Sequence, residues 1–300
     1  MKILFSIVGP TGIGKTSLSI ILAQRLNTEI ISCDSRQFYR EMKIGTASPS
    51  LEELSLVSHH FINNLSIDQE YSVGDFEKDA LKKISELFDK YNQLIMVGGS
   101  GLYEKAVNEG LDYFPDVDPN IRKELIKEFQ EKGLDYLQDE LKKNDPEYYA
   151  EVDCNNPTRM IRALEIFRGT GRPYSSYRNN LLRKRNFSTV KIGLTAPREI
   201  IYDKINKRVD LMIENGLLEE VISLKNYRHK NALQTVGYKE LFEYLDGNIS
   251  LEFAIEEIKK NSRRYAKRQL TWYRKDESVH WFNYLNTDEI IDFAMKIIDQ

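Results

Sequence analysis

The chain has 300 residues, of which 41% are hydrophobic and 30% charged, and a formal net charge of −3. These values are typical of a globular protein with a large core, and no apolar run approaches the roughly 18 residues of a membrane-spanning helix. The two cysteines, Cys33 and Cys154, form no disulfide framework, and no signal peptide precedes the first predicted strand. We therefore expect a cytoplasmic, monomeric protein without a membrane anchor.

A phosphate-binding loop begins the chain. Apolar residues 3–8 predict a buried strand and residues 17–26 predict a helix, and the segment between them fits the pattern G-x-x-x-x-G-K-[ST]. Backbone N–H groups of such a loop and the helix N-terminus attract an anion, whereas a chance match would lack the flanking strand and helix. The predicted diphosphate- or nucleotide-binding residues are Gly9, Pro10, Thr11, Gly12, Ile13, Gly14, Lys15 and Thr16. The hydroxyl of Thr16 is also placed to hold a divalent metal ion.

Two further strand–helix units follow the phosphate loop. Residues 29–33 and 93–97 predict buried strands, residues 71–91 predict a helix, and residues 38–70 predict a long loop with a short helix near 51–57. Alternation of apolar strands with helices predicts an α/β fold, with a parallel sheet flanked by helices on both faces.

Two of these predicted strands end in candidate site residues. Asp34 follows the second strand, and the glycine loop 98–101 follows the third, at the edge where open α/β sheets bind ligands. Asp34 is a general base or a metal ligand on one interpretation and the cap of a turn on the other. The hydroxyl of Ser100 is a further candidate, although a plain turn is an equal interpretation of its loop.

The pattern changes near residue 116. Residues 116–119 indicate a linker, and residues 120–168 predict helices alone, so we expect an all-helical insertion domain over 116–185. Residues 1–115 and 186–300 would then form the core domain. The later part of that core predicts strands at 189–194 and 279–282, and helices at 198–216, 217–227, 235–245, 251–273 and 289–298.

Basic residues concentrate in three places. The most basic stretch, 259–275, carries interleaved aromatic residues, and smaller clusters lie at 178–185 and on the predicted helix 157–168. Each cluster is either a nucleic-acid contact or a solvated protein surface, and the sequence leaves both interpretations open. Arg208 likewise faces either solvent or a phosphate. His59 and His60 are adjacent and cannot share one face of a helix or strand, so we predict no metal site there.

These motifs, in this order, resemble those of the tRNA dimethylallyltransferases, also called tRNA isopentenyltransferases or IPP transferases. The resemblance covers nearly the whole chain. Besides the phosphate loop, it is carried by residues 34–40, 44–47, 59–60, 98–103, 156–165, 235–238 and 264–272. Many P-loop proteins share the first motif, but the later ones are much more specific.

The resemblance implies a P-loop NTPase-like fold with a helical, tRNA-binding insertion. It implies transfer of a dimethylallyl group from its diphosphate to N6 of the adenine next to the anticodon, position 37 of the tRNA, with Mg²⁺ as cofactor. Asp34 would be the base, Arg208 (or its neighbour Lys204) the catalytic arginine, and Ser100 stands where the family usually has threonine. The implied tRNA contacts are Asp34, Ser35, Arg36, Gln37, Ser100, Arg122, Thr158, Arg159, Met160, Ile161, Arg162, Arg264, Lys267 and Arg268.

The chain departs from the family pattern at three positions, where the family often has lysine, proline and arginine in place of Ser48, Cys154 and Thr158. These departures bear on RNA preference more than on the chemistry.

Two rival functions are a P-loop kinase for a nucleotide or other small molecule, and a nucleic-acid-binding P-loop ATPase. A kinase would not need the basic and aromatic stretch 259–275, and no apolar strand ends in a second acidic motif suited to ATP hydrolysis.

Overall fold

The structure, a computed structural model, describes residues 1–179 and 183–300. Residues 180–182, which belong to the predicted basic stretch 178–185, lie outside the described residues. The chain forms two compact units, a core unit of Met1–Glu109 and Lys184–Gln300 and an insertion unit of Gly110–Arg183. The sequence had suggested boundaries at 116 and 185. Within the described ranges, no helix is both long and apolar enough to cross a membrane.

The N-terminal part of the core unit alternates strands with helices. In chain order it contains β1 (Ile3–Val8), α1 (Lys15–Leu26), β2 (Ile30–Ser32), α2 (Leu51–Leu56), β3 (His59–His60), α3 (Val73–Phe88), β4 (Gln93–Val97) and α4 (Gly101–Glu109). The starts of α2 and α3 are fixed by capping boxes, in which Ser50 pairs with Glu53 and Ser72 with Asp75.

Helices are the only regular elements of the insertion unit in the part of residues 110–183 that the structure describes. Its helices are α5 (Pro119–Lys132), α6 (Leu134–Asn144), α7 (Pro146–Glu151) and α8 (Pro157–Thr170), followed by the 3₁₀ turn Tyr174–Tyr177. Three of them begin with proline after a capping Asp or Asn, a combination that fixes a helix start. Leu125, Leu137, Leu141 and Leu164 are fully buried and form the centre of this unit.

The C-terminal part of the core unit adds two strands to the sheet. It contains β5 (Ser188–Thr195), α9 (Arg198–Glu214), α10 (Leu217–Ser223), the 3₁₀ turns Lys225–Tyr227 and Asn231–Leu233, α11 (Tyr238–Leu245), α12 (Leu251–Tyr273), β6 (Val279–Asn283) and α13 (Thr287–Ile298).

The six strands form one parallel sheet in the order β3-β2-β4-β1-β5-β6. The central strand β1 is buried along its whole length, with Phe5 between Ile95 of β4 and Val190 of β5. Successive side chains of β1 enter different apolar clusters, since Leu4 packs on one side of the sheet and Phe5 on the other. This architecture confirms the predicted α/β fold with a parallel sheet covered on both faces.

The structure differs from the prediction mainly at element boundaries. Strand β3 was predicted as loop because two residues carry no periodicity; it is held at the sheet edge by pairing of Ile30 with His59. The helix predicted at 235–245 begins only at Tyr238, after Gly237, whose φ is 97°. The helix predicted at 217–227 ends at Ser223 and continues as a 3₁₀ turn.

Candidate active site

Three loops meet at one edge of the sheet because β2, β4 and β1 are parallel neighbours. They are the phosphate loop after β1, the segment from Asp34 after β2 and the glycine loop after β4. Helix α1 begins at Lys15, directly after Gly14, whose φ of 112° requires glycine, so the N–H groups of its first turn are open to a bound anion. The topology thus brings the phosphate loop, Asp34 and the glycine loop together.

The phosphate loop forms one wall of a cavity of about 380 Å³. Lys15 extends over the loop, and its Nζ donates to the carbonyl oxygens of Gly9 at 3.0 Å and Pro10 at 2.9 Å. Burial of the ammonium group lowers the pKa of Lys15 to about 8; the carboxylate of Asp34 opposes this shift and Arg208 adds to it. The residues lining this cavity include Thr16, Asp34, Gln37, Ser48, Glu53, His59 and Gly99.

Arg208 projects from the middle of α9 to the phosphate loop. Its Nη1 donates to the hydroxyl of Thr11 at 3.1 Å, and its Nη2 donates to the carbonyl of Thr46 at 3.3 Å. Burial lowers the pKa of the guanidinium below its ordinary value, and Asp34 opposes this shift. The neighbouring candidate, Lys204, instead holds its Nζ 4.6 Å from the ring centre of Tyr284. Only Arg208 of these two lines the cavity.

Asp34 follows β2 and faces the same cavity. Its Oδ1 accepts a hydrogen bond from the backbone N–H of Arg36 at 3.1 Å, so the aspartate caps a turn and also presents a carboxylate to the site. The hydroxyl of Ser100 accepts a hydrogen bond from the Ser35 N–H at 3.1 Å and lies 3.0 Å from the Ser35 hydroxyl. Ser100 therefore fixes the backbone that follows Asp34.

A second cavity of about 240 Å³ adjoins the first. Thr11, Asp34 and Arg208 line both. The second cavity has an apolar wall formed by Ile205, Val209, Met212, Val236 and Ile258. The site thus combines a compartment at the phosphate loop with a more apolar one, and a carboxylate and a cation line both.

Comparison with known proteins shows the family to which this chain is similar. The sequence model of the IPP transferase family matches residues 37–276. The chain belongs to the IPP transferase family. It is 58% identical over 297 residues to the tRNA dimethylallyltransferase of Christiangramia forsetii, covering 99% of this chain and 98% of that protein.

Solved structures agree with this assignment. The full-length tRNA isopentenylpyrophosphate transferase of Bacillus halodurans is 42% identical, with a TM-score of 0.72 over 100% of this chain and 96% of that one. A eukaryotic dimethylallyltransferase, solved in a study of its action on tRNA, is 28% identical, with a TM-score of 0.78 over 96% of this chain and 75% of that one.

In this IPP transferase, a carboxylate that was not predicted from the sequence holds a loop at the edge of the site. Glu220 of α10 accepts hydrogen bonds from the N–H groups of Ile44 and Gly45 at 2.8 and 2.9 Å, and from the Tyr238 hydroxyl at 2.7 Å. The loop it holds offers its carbonyls to Arg208 and to the Gln37 side-chain amide. The predicted motifs 44–47 and 235–238 therefore meet at one glutamate, a link that no sequence spacing reveals.

The donors present fit a metal ion that arrives with a phosphate ligand. Within residues 1–179 and 183–300, no three His, Cys, Asp or Glu side chains are grouped as a metal site. The first cavity nevertheless offers the Thr16 hydroxyl and the carboxylates of Asp34 and Glu53. Mg²⁺ characteristically takes one or two protein oxygens and completes its shell with water and substrate phosphate. The two adjacent histidines have different partners, since Nδ1 of His59 bonds to the Val57 carbonyl and Nε2 of His60 bonds to Glu29.

Helix α12 separates its basic residues into two groups. Lys259 pairs with Asp210 and Glu256, and Lys260 pairs with Glu257. The residues towards the C-terminus line a shallow surface groove, here called the basic groove, formed by Arg264, Lys267, Arg268, Thr271, Trp272 and Lys275. Among the described residues, none of the four cations in this groove forms an ion pair with a carboxylate. The two halves of 259–275 therefore differ in whether their cations are paired with carboxylates.

Two of the predicted tRNA contacts in the insertion unit have buried side chains. Met160 and Ile161 lie in its core, with 0% and 5% exposure, and their side chains pack against the other helices, which leaves little side-chain surface for an RNA contact. Thr158 and Arg159, at the start of α8, are exposed. The remaining two predicted contacts of this unit, Arg122 and Arg162, share the carboxylate of Glu165.

Proposed function

We propose that this IPP transferase moves a dimethylallyl group from dimethylallyl diphosphate to N6 of the adenine next to the anticodon of tRNA, position 37, and releases diphosphate. The supporting observation is that Thr11, Asp34 and Arg208 line both cavities. A diphosphate at the phosphate loop would then direct its allylic carbon towards the second cavity. The tRNA substrate follows the relatives named tRNA dimethylallyltransferase.

The proposed step is a substitution at the allylic carbon. The exocyclic amine of adenine is a weak nucleophile because its lone pair is delocalised into the ring. Asp34 accepts a hydrogen bond from N6–H and takes that proton as the N6–C bond forms. The C–O bond to the diphosphate breaks at the same time, and the leaving group keeps the electron pair. Asp34 ends protonated and the diphosphate ends with one additional negative charge.

Cations at the phosphate loop stabilise that developing charge. The Lys15 ammonium, the Arg208 guanidinium and the N–H groups at the start of α1 surround the proposed position of the leaving group. The two cations act strongly because burial has removed most of their hydration. We propose Thr16 as the protein ligand of a Mg²⁺ ion that neutralises diphosphate charge when bound. The phosphate loop therefore holds a leaving group in this proposal, where a kinase would hold a transferring phosphoryl group.

RNA binding must expose the adenine to this site. A base cannot react at N6 while it is stacked in the anticodon loop, so the nucleotide must be turned out into the second cavity. The basic groove offers cations for backbone phosphates, and the exposed ring of Trp272 offers a stacking surface. Every residue invoked here comes from one chain, and we propose a monomer as the working unit.

The experiment compares two donors and two acceptors. The enzyme, with Mg²⁺, receives an anticodon stem-loop and either labelled dimethylallyl diphosphate or labelled ATP. A matched stem-loop carries a purine nucleoside without the N6 amine at the reacting position. We expect transfer to the adenine-containing loop with one diphosphate released per label, and none to the matched loop. Hydrolysis or phosphoryl transfer from ATP without prenyl transfer would reject the proposal in favour of a kinase or ATPase.

The Asp34→Asn variant tests the base in the same assay. It preserves the size of the side chain and an oxygen for the Arg36 N–H, but it cannot accept the proton. Because general base catalysis contributes about 10²- to 10⁴-fold, we expect kcat to fall by that factor while the Kd for the stem-loop changes less than about threefold. Normal turnover by this variant would remove Asp34 from the mechanism.

A further inference from the structure

Gln269 belongs to the stretch of α12 in which the neighbouring residues Lys267 and Arg268 face solvent, yet its own side chain is 5% exposed. Helical geometry explains the contrast, because successive residues are rotated by about 100°. Tyr265, Gln269 and Tyr273 follow one another at intervals of four. Gln269 and Tyr273 are buried, and the Tyr265 hydroxyl bonds inward to the Gly99 carbonyl. Gln269 therefore points away from the basic groove.

Both ends of the Gln269 amide are bonded to loops of the active site. Its Oε1 accepts a hydrogen bond from the backbone N–H of Thr11 at 2.8 Å, and its Nε2 donates to the carbonyl of Gly99 at 2.7 Å. The Gly99 carbonyl receives a second hydrogen bond from the Tyr265 hydroxyl at 3.1 Å. One buried amide thus joins the phosphate loop after β1 to the glycine loop after β4.

These two loops carry opposite halves of the proposed chemistry. The Thr11 hydroxyl accepts a hydrogen bond from Arg208, which would stabilise the leaving diphosphate. Gly99 lies against the base: a Cβ there would be 3.1 Å from Oδ2 of Asp34 and 2.7 Å from Nε2 of Gln269. Glycine is therefore required where the amide, the loop backbone and the catalytic carboxylate approach one another.

We propose that Gln269 is a positioning residue of the transfer reaction, whose buried amide sets the separation between the leaving-group side and the base side of the site. The inference rests on the proposed function. Gln269 contacts neither substrate and acts through Thr11 and Gly99. Because transfer requires the amine, the allylic carbon and the leaving oxygen to be aligned, a displacement of about 1 Å between the loops costs about 10²-fold in rate.

The test uses three substitutions of the full-length protein. Gln269→Glu keeps the shape and the bond to the Thr11 N–H but sets a carboxylate oxygen against the Gly99 carbonyl. Gln269→Leu removes both bonds at similar volume, and Gln269→Asn keeps the amide but is one methylene too short to join both loops. Glu256→Gln, on an exposed part of the same helix, is the matched control. The measurements are the single-turnover transfer rate, kcat, the KM of each substrate and the salt dependence of stem-loop binding.

We expect each Gln269 variant to lose about 10- to 100-fold in the single-turnover rate and in kcat, while the Kd for the stem-loop changes less than about twofold and its salt slope is unchanged. Glu256→Gln should match the unmodified protein in every measurement. A lower single-turnover rate at an unchanged Kd distinguishes positioning from general destabilisation. Destabilisation would reduce the amount of active enzyme and leave the single-turnover rate constant unchanged.

Other outcomes overturn the inference. Unchanged kcat with a raised Kd and a lower salt slope would make Gln269 an RNA contact like its neighbours. Loss of the folded protein in all three variants would assign the amide to stability alone. Failure of the unmodified protein to transfer the prenyl group would reject the proposed function itself, and that result is visible before any variant is measured.

Discussion

Two arginines of this IPP transferase, one in each unit, have opposite surroundings. In the core unit, Arg208 reaches the phosphate loop and bonds only to neutral oxygens, those of Thr11 and Thr46, among the residues that the structure describes. In the insertion unit, Arg168 is held between the carboxylates of Glu128 and Glu140, with N–O distances of 2.8 and 2.7 Å. The pKa of Arg208 is lowered by burial, whereas that of Arg168 is raised, first by its hydrogen bond to Glu140.

The difference shows which cations are available to a ligand. A cation that already has a carboxylate partner must give up that partner before it binds a phosphate, so its net gain is small. A buried cation without such a partner has already lost hydration and gains strongly when an anion arrives. The comparison therefore separates an arginine that is available to bind an anion from one that joins helices through carboxylates, a distinction that residue type and spacing do not give.

The largest expected effect is at Arg208. Arg208→Lys keeps the charge but removes the fork that joins Thr11 and Thr46, so kcat should fall about 10²- to 10³-fold, as for the loss of one donor to a developing anion. The Kd for the stem-loop should not change. Lys204→Ala is the control, because Lys204 lies over Tyr284, and it should stay within about twofold of the unmodified enzyme. The opposite ranking of these variants would transfer the catalytic role to Lys204.

The next largest effect is expected in the pH dependence of kcat/KM, through the protonation of Lys15. Its pKa of about 8, lowered by burial, means that the free enzyme carries the ammonium below pH 8 and loses it above. The kcat/KM for dimethylallyl diphosphate should therefore fall about tenfold per pH unit above pH 8, while kcat falls only at higher pH because the bound diphosphate raises the pKa again. Lys15→Arg should remove this alkaline decline, although its activity will be lower. A flat profile from pH 7 to 9.5 would show that Lys15 does not titrate in this range.

The sequence predicts those elements of the fold that depend on neighbouring residues, and it misses those that depend on contacts with distant parts of the chain. The strand before Gly9 and the helix after Lys15 follow from local periodicity, and the parallel sheet follows from repetition of that unit. Strand β3 could not be predicted, because its two residues owe their conformation to pairing with β2. The start of α11 was also missed, since Gly237 permits a turn that helical periodicity does not register.

The candidate site also contains residues that local sequence patterns predict and residues that only the folded structure reveals. The phosphate loop was predicted from its motif and the strand and helix that flank it. Asp34 was predicted from the rule that ligands bind where the strands of a parallel sheet end. Glu220 and Gln269 were not predicted as site residues, since they lie far along the chain and act through backbone N–H and carbonyl groups. Met160 and Ile161 were predicted as RNA contacts from the resemblance of their motif, and only three-dimensional packing shows that they are buried.

A smaller effect is expected in the basic groove. Removal of two charges by Lys267→Ala and Arg268→Ala together should weaken stem-loop binding and lower the slope of log K against log salt by about 1 to 2, since each lost phosphate contact contributes about 0.7 to 0.9. The matched control removes the same charge from Lys259 and Lys260, which are paired with acidic residues. That control should leave the slope unchanged. Equal slopes for the two double variants would indicate that the groove is an ordinary solvated surface.

The smallest effect on the reaction is expected at Arg168, where the comparison began. Arg168→Leu leaves Glu128 and Glu140 without their shared partner, so the free energy of unfolding should fall by about 1 to 3 kcal/mol. Transfer by the folded protein should continue at its normal rate, because two carboxylates already neutralise the charge of this arginine. Arg159→Ala, at an exposed position of the same helix α8, should do the reverse and weaken stem-loop binding without loss of stability. Denaturant unfolding and binding titrations of both variants test whether carboxylate pairing distinguishes arginines that stabilise the unit from arginines that bind RNA. A weakened stem-loop affinity of Arg168→Leu at unchanged stability would show that it does not.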